Sequence, residues 1–391
     1  MNHIFLSLLK DARLNMKSNP IELDFMKLYQ LANEHQVSPL IYNQIYSFPD
    51  FPDDLKNNWK RDAIKINVSQ TIKTERFLKL YQRFLDNNLK IIVVKGIILR
   101  SLYPQPENRP SNDEDLYIEK KDYEKAKDIF LDEKFIIMKE SNDEVTFVDY
   151  QSGLSIELHL ALFSKDSKAY GKYQESFDHA FDHMIVHDIQ HVQIYSLSYD
   201  LHLLFLLMHF IKHFLHGGVG IRQIIDIIMY SEAYGDKIHW EHLYETLKQL
   251  NVLVLIENVF ALAHNHLEFD FSKIKLPNDY DESQCDYNDL LNDILDAGIF
   301  GKSTEERLHS STMTLNAMEK GKSSIIRSVF PTYKEMKGKF SYLAKYPFLL
   351  PIAYISRIIH YLKHNETKNG QKTIEIGNQR IELLKKYRVI K

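Results

Sequence analysis

The sequence predicts an α+β fold: a small mixed or antiparallel sheet with flanking helices, embedded between N-terminal and C-terminal helical segments. Three observations carry that expectation. Apolar residues recur at helical spacing near the N-terminus, as in LYQLANEHQVSPLIYNQIY and QTIKTERFLKLYQRFL. After Asn87-Asn88 the period shortens, and runs such as IIVV and VTFVDY lie between Gly- and Pro-bearing turns. From Ser196 the helical period returns. The expected divisions are an N-terminal helical segment at 1–86, a core at 87–195, and a C-terminal helical domain with a basic tail at 196–391.

The elements follow in order. FPDFPDD, around Pro49 and Pro52, reads as a loop within the first segment. IIVV, from Ile91, is a short buried strand stopped by Lys95-Gly96, and IILRSLY is a helix that ends at Pro104. PQPENRPSN is a turn-rich loop and DLYIE a strand. DYEKAKDIFLDEKF has a helical period, with Asp122 as its expected cap. VTFVDYQSGLSIELHLALF reads as a hairpin turning at Ser152-Gly153. Ser198 is the expected N-cap of the Leu-rich helix that follows, and Gly217-Gly218 its C-cap. IRQIIDIIMYSEAY is the next helix, LPNDYDESQCDYND and KHNETKNGQKT are loops, and YPFLLPIAYISRIIHYLK reads as a buried helix, with an interfacial one as the alternative.

Composition excludes several classes. The chain has 391 residues, 44% apolar and 26% charged, as a soluble globular protein does. A net charge of −4 argues against a general DNA binder. The single cysteine, Cys285, rules out an internal disulfide framework and a Cys-based zinc site. The longest apolar stretch, LHLLFLLMHFIKHFLH, is broken by His and Lys and makes no membrane span; with an N-terminus unlike a signal peptide, the chain is expected in the cytoplasm. From Glu319 onward there are 16 Lys or Arg against 5 Asp or Glu. Such a tail is a solvated surface or docks on the chain's own acidic part; contact with tRNA or a membrane surface is the less favoured reading.

The chemistry is expected in RPSNDEDLYI and LSIELHLAL. On a strand, Asp113 and Asp115 share a face and Glu114 points away. Two carboxylates ~7 Å apart repel unless a cation lies between them, and magnesium favours such oxygens, with manganese the alternative. Glu157 and His159 share the polar face of an otherwise apolar strand, where a carboxylate is costly without a partner. If that strand pairs beside Asp113–Ile118, three carboxylates converge. Lys95-Gly96 ends a strand and opens a helix, where Gly lets a phosphate approach and Lys95 can reach it as a point charge.

Strand, Gly turn, helix, Arg109 loop, D-x-D strand and a Glu on a later strand form an ordered pattern. VVKGIILRSLYP, Arg109 with DEDLYI, and IELHLAL resemble the polymerase-β-type nucleotidyltransferase superfamily, and within it the bacterial uncharacterised nucleotidyltransferases. Weaker likeness extends outward, through ANEHQVSPLIYNQI, HFIKHFLHGGVGIRQIIDI, AGIFGKS and FPTYKEM. The resemblance implies two-metal transfer of a nucleoside monophosphate from a nucleoside triphosphate, ATP first, to an unidentified acceptor. Asp113, Asp115 and Glu157 would be the catalytic metal ligands; Gly96 would match the phosphate-binding turn, with Lys95 and Arg109 beside the nucleotide. Two departures stand out: Lys95-Gly96 replaces the superfamily's usual Gly-Ser, and Glu114 replaces an apolar residue, which implies an exposed back face there or a weakened site. They motivate an alternative, a non-catalytic nucleotide-binding scaffold; the basic tail motivates a second, a toxin-like enzyme modifying tRNA.

Other side chains complete the expectations. His209 and His213 stand four apart on a helix, with His202 and His216 in register; a packing stripe, a substrate-facing role and a metal site are the readings weighed. Arg222 is either the i,i+4 partner of Asp226 or part of a second anion site. His159 could orient a metal ligand or a water.

Overall fold

The computed structural model describes residues 1–18, 23–297, 305–320, 333, 336–337, 340–356 and 367–390. Its centre is a mixed seven-stranded sheet with helices around it, the α+β class expected from the sequence. The strands are β1 (Ile92–Val93), β2 (Asp113–Tyr117), β3 (Ile136–Glu140), β4 (Glu144–Asp149), β5 (Leu154–His159), β6 (Ile185–Ile189) and β7 (Val192–Ser196). They run in the order β3-β4-β5-β2-β1-β7-β6. β2 is parallel to β5 and β1 to β7, while the other neighbours are antiparallel.

Residue chemistry explains the positions of these strands. Ile91 to Val94 are all fully buried, as a central strand covered on both faces requires. β5 alternates: Leu154, Ile156 and Leu158 are buried, while Ser155 and Glu157 are half-buried on the other face. The β4–β5 hairpin turns before Gly153, whose φ of +71° suits the left-handed region.

The helices are α1 (Asn2–Arg13), α2 (Phe25–Glu34), α3 (Ser38–Ile45), α4 (Asp53–Asp86), α5 (Gly96–Arg100), α6 (Tyr123–Asp132), α7 (Tyr199–His216), α8 (Ile221–Tyr234), α9 (Trp240–Gln249), α10 (Leu253–Leu267), α11 (Asn288–Ala297) and α12 (Glu305–Lys320). The 34-residue α4 is tied to the sheet by Tyr81, whose hydroxyl donates to the Ile91 carbonyl at 2.5 Å and accepts from the Tyr195 amide at 2.9 Å. α6 packs on β4 through Phe130, which stacks on Phe147 at 4.0 Å; such a pair contributes about 0.5–1.5 kcal/mol beyond its area. α7 is apolar on most sides and buried accordingly. Ser198 caps it by accepting from the Leu201 amide. Among the described residues no helix is long and apolar enough to cross a membrane.

Several local expectations need correction. Asp122 lies in a 3-10 turn and makes no side-chain cap. β3 and the β6–β7 hairpin were not expected. The turn of that hairpin is Gln190-His191, both at positive φ (51° and 70°), without the Asn or Gly that marks such turns. KHNETKNGQKT is not all loop: from Thr367 it belongs to the helix Thr367–Lys386, while its first residues lie outside the described ones. The segment from Tyr346 is only partly buried where described: Ala353 is buried with Leu349, Leu350 and Tyr354 packed around it, while Phe348 is 75% exposed and Ile352 and Ile355 are also exposed. Most of AGIFGKS and FPTYKEM lies outside the described residues.

Candidate active site

The parallel β2–β5 pairing sets Asp115 directly beside Glu157, and Tyr117 beside His159. Because side chains alternate along both strands, Asp113, Asp115, Glu157 and His159 all project from one face. His159 Nε2 is 3.1 Å from Asp115 Oδ1 and 3.9 Å from Glu157 Oε2; its Nδ1 is 3.6 Å from Glu144 Oε2 on β4. One ligand atom from each of Asp115, Glu157 and His159 lies within 4.8 Å of the others. Asp113 is on the same face, outside that trio, and lines the adjoining cleft.

These carboxylates differ in their hold on a proton. Asp115 is buried, which alone would favour the neutral form, but Lys95 and His159 reverse this and hold it well below the usual carboxylate range. Glu157 is pushed up to about 7 by burial and by the charges of Asp115 and Asp113. Burial and the Asp115 charge raise Asp113 as well. The cluster is thus one firmly ionised carboxylate flanked by two that resist ionisation.

Lys95 stands over this face. Its Nζ is 2.7 Å from Asp115 Oδ2 and 3.0 Å from His209 Nε2 on α7. Burial pulls its pKa down, but Asp115 and Asp113 outweigh burial and hold the ammonium above its ordinary range. An ammonium only donates, so His209 Nε2 is the acceptor; His213 Nε2 lies 2.8 Å from the same atom. Burial and the Lys95 charge keep both imidazoles neutral, far below their usual pKa. The histidine pair therefore positions Lys95.

Glu114 corrects one expectation. It does not face solvent: it is buried behind β2, where its Oε1 takes Arg100 Nη2 at 2.5 Å and its Oε2 takes the Ile97 amide at 2.8 Å. It thereby pins α5 to the strand that carries the two aspartates. Gly96 has φ +49°, and a Cβ there would lie 1.7 Å from Glu114 Oε2. Contact with Glu114 is thus enough to demand glycine at this turn, whatever approaches from the other side.

Arg109 and Arg222 border the same cleft. Arg109 binds Asp226 with two parallel bonds, Nε–Oδ1 2.7 Å and Nη2–Oδ2 2.8 Å, and Tyr103 donates to Asp226 Oδ1 at 2.7 Å. That buried knot anchors the 104–112 loop to α8. Arg222 donates to the Pro110 carbonyl and makes no ion pair with Asp226, so the i,i+4 pair is replaced by a long-range one.

Sequence reasoning missed Glu144, Lys212 and Lys73. Glu144 faces His159 across β4–β5, and lies on a hairpin strand whose alternation made it readable. Lys212, half-buried on α7, has its proton affinity lowered by burial and by Lys95. Lys73, on α4, is lowered by burial, partly restored by Asp113 and Glu114; no spacing rule links it to strands forty residues away.

A family model described as an uncharacterised nucleotidyltransferase matches residues 22–268, and the chain belongs to that family. No curated protein and no solved structure matches the chain.

Proposed function

We propose that this nucleotidyltransferase moves a nucleoside monophosphate from a nucleoside triphosphate, ATP first, onto a hydroxyl or similar group of an acceptor, releasing pyrophosphate. The observation that carries the reading is the β2–β5 register, which sets Asp115 beside Glu157 with His159 closing the cluster and Asp113 two residues earlier on the same face. The two carboxylates suit a hard divalent ion, magnesium or manganese, and the imidazole is better matched to manganese than to magnesium. Asp115, Glu157 and His159 would hold it, with Asp113 beside them. When bound, such an ion lowers the pKa of the acceptor hydroxyl and offsets phosphate charge.

The chain's own groups do the rest. Lys95 keeps Asp115 ionised, and His209 keeps Lys95 in place. In the absence of a divalent ion, Glu157 is mostly protonated only below about pH 7, and it gives the proton up when a cation replaces it. The Lys95 ammonium can turn from Asp115 to a phosphate oxygen without leaving the cleft. The transfer balances as an in-line displacement: the acceptor oxygen bonds the α-phosphorus, the bond to the bridging oxygen breaks, and pyrophosphate leaves with that electron pair. The acceptor's proton passes to a carboxylate or to water.

The non-catalytic scaffold reading rests on Glu114 and on Lys95-Gly96 in place of Gly-Ser; of these, Glu114 in its buried pair with Arg100 leaves the aspartate face alone. Calorimetry with ATP and magnesium, paired with a turnover assay over the four nucleotides, separates the two. Binding with turnover supports transfer; tight binding without turnover supports the scaffold. Much of the basic tail lies outside the described residues, so the tRNA alternative rests on its charge alone.

A further inference from the structure

The cleft between β2 and α8 contains two ion pairs and two charges left over. Lys95 is spent on Asp115 and Arg109 on Asp226, each at 2.7 Å. Arg222 and Asp113 line the same cleft, and among the described residues neither makes an ion pair. Arg222 uses Nη1 on the Pro110 carbonyl, and its buried Nε has no partner. Arg109 is only 3% exposed, and its Nη1, left over from the Asp226 pair, is likewise buried without a partner.

Burying a guanidinium donor with no acceptor is unfavourable, and two adjacent arginines doing so at one cleft calls for an anion. The neighbouring positive charge acts in the same direction: burial and Arg109 together weaken the hold of Arg222 on its proton. A bare anion entering here would also meet the Asp113 carboxylate. An oxyanion that arrives with a divalent cation answers both leftover charges at once, the guanidinium through oxygen and the carboxylate through metal.

We propose that Arg222 and the free edge of Arg109 form a subsite for a phosphate-type oxyanion of a substrate, beside Asp113. The source of that oxyanion rests on the nucleotidyl-transfer reading: either the nucleotide's own phosphates or an anionic group on the acceptor. A role confined to holding the Pro110 loop would make Arg222 structural, and the two roles separate by measurement.

The experiment is calorimetric titration of the full chain with magnesium pyrophosphate and, separately, with magnesium ATP at low ionic strength. The variants are Arg222→Gln, Arg222→Lys and, as a charge-matched control on the exposed face of α9, Lys248→Gln. Pyrophosphate affinity is expected to fall roughly 10- to 100-fold in Arg222→Gln, less in Arg222→Lys, and no more than about threefold in Lys248→Gln. A parallel loss for ATP assigns the subsite to the nucleotide's phosphates; unchanged ATP affinity assigns it to an anion on the acceptor. Arg222→Lys keeps the charge and tests the site even if Arg222→Gln folds poorly. Pyrophosphate binding by Arg222→Gln at the wild-type level, or no pyrophosphate binding by the wild type, overturns the proposal. Wild-type pyrophosphate binding that Arg222→Gln weakens, without turnover of any nucleotide, would defeat the transfer reading and leave the subsite standing.

Discussion

Replacing Glu114 with Ala tests the latch behind the site. In the native chain Glu114 and Arg100 are both almost wholly buried and paired at 2.5 Å, and Glu114 also satisfies the Ile97 amide. Removing the carboxylate leaves a buried guanidinium unpaired, which costs about 3–5 kcal/mol. The orphaned amide adds about 1–3 kcal/mol. The expected loss is therefore roughly 4–8 kcal/mol, much of a typical folding stability of about 5–15 kcal/mol. Gly96→Ala is also severe, because its Cβ would lie 1.7 Å from Glu114 Oε2. The two losses must not add. Once Glu114 is gone the clash goes with it, and the alanine should cost only the ~1–2 kcal/mol of a left-handed residue. Urea unfolding of the wild type, both single variants and the double variant closes this cycle. A Glu114→Ala loss below about 1 kcal/mol, or strict additivity in the double variant, would refute the latch.

Four further outcomes follow from the same geometry. Glu157 is raised to about 7 from 4.5, so the folded chain binds a proton that the unfolded chain has released between those values. Its contribution to metal-free stability therefore falls as pH rises through that window, and Glu157→Gln should gain on the wild type in melts between pH 5 and 8; a constant difference contradicts this. Manganese affinity, followed by calorimetry, should rise over the same window and level off above it, because the ion needs the ionised carboxylate. Lys95→Gln removes the cation now seated on Asp115, so manganese binding without nucleotide should tighten; weaker binding would mean that Lys95 assists the ion rather than competing with it. Asp226→Asn leaves the buried Arg109 guanidinium without its anion and should cost about 3–5 kcal/mol in urea unfolding; a change under 1 kcal/mol would show that the knot does not hold the loop.

How much of this was legible in the sequence varies with range. Strand alternation separated Asp113 and Asp115 from Glu114, and it put Glu157 and His159 on one face, because both statements need only a period of two. Pairing of β2 with β5 was conditional: the partner of a parallel strand is set by the chain between them, not by the strand itself. The role of Glu114 was hidden for a related reason. A lone charged residue reads as exposed, and only the placement of Arg100 one turn into α5 shows what buries it. Arg109 and Asp226 are 117 positions apart, and the nearer Arg222 offered a sufficient local partner that the fold declines. The β6–β7 hairpin escaped because its turn residues, Gln190 and His191, adopt positive φ without being Gly or Asn.

The central claim is that one face of β2 and β5 carries out divalent-metal-dependent nucleotidyl transfer. Pyrophosphate release tests it most directly. The full chain is given each of the four nucleoside triphosphates with magnesium, and a deproteinised metabolite extract supplies the acceptor. Asp113→Asn, Asp115→Asn and Glu157→Gln are run beside it, with thermal melts confirming that each is folded. The account predicts release by the wild type with at least one nucleotide, its loss on chelation, and a fall of at least about 100-fold in each folded variant. Release at the wild-type rate by folded Asp115→Asn or Glu157→Gln, or release that persists after chelation, would contradict it.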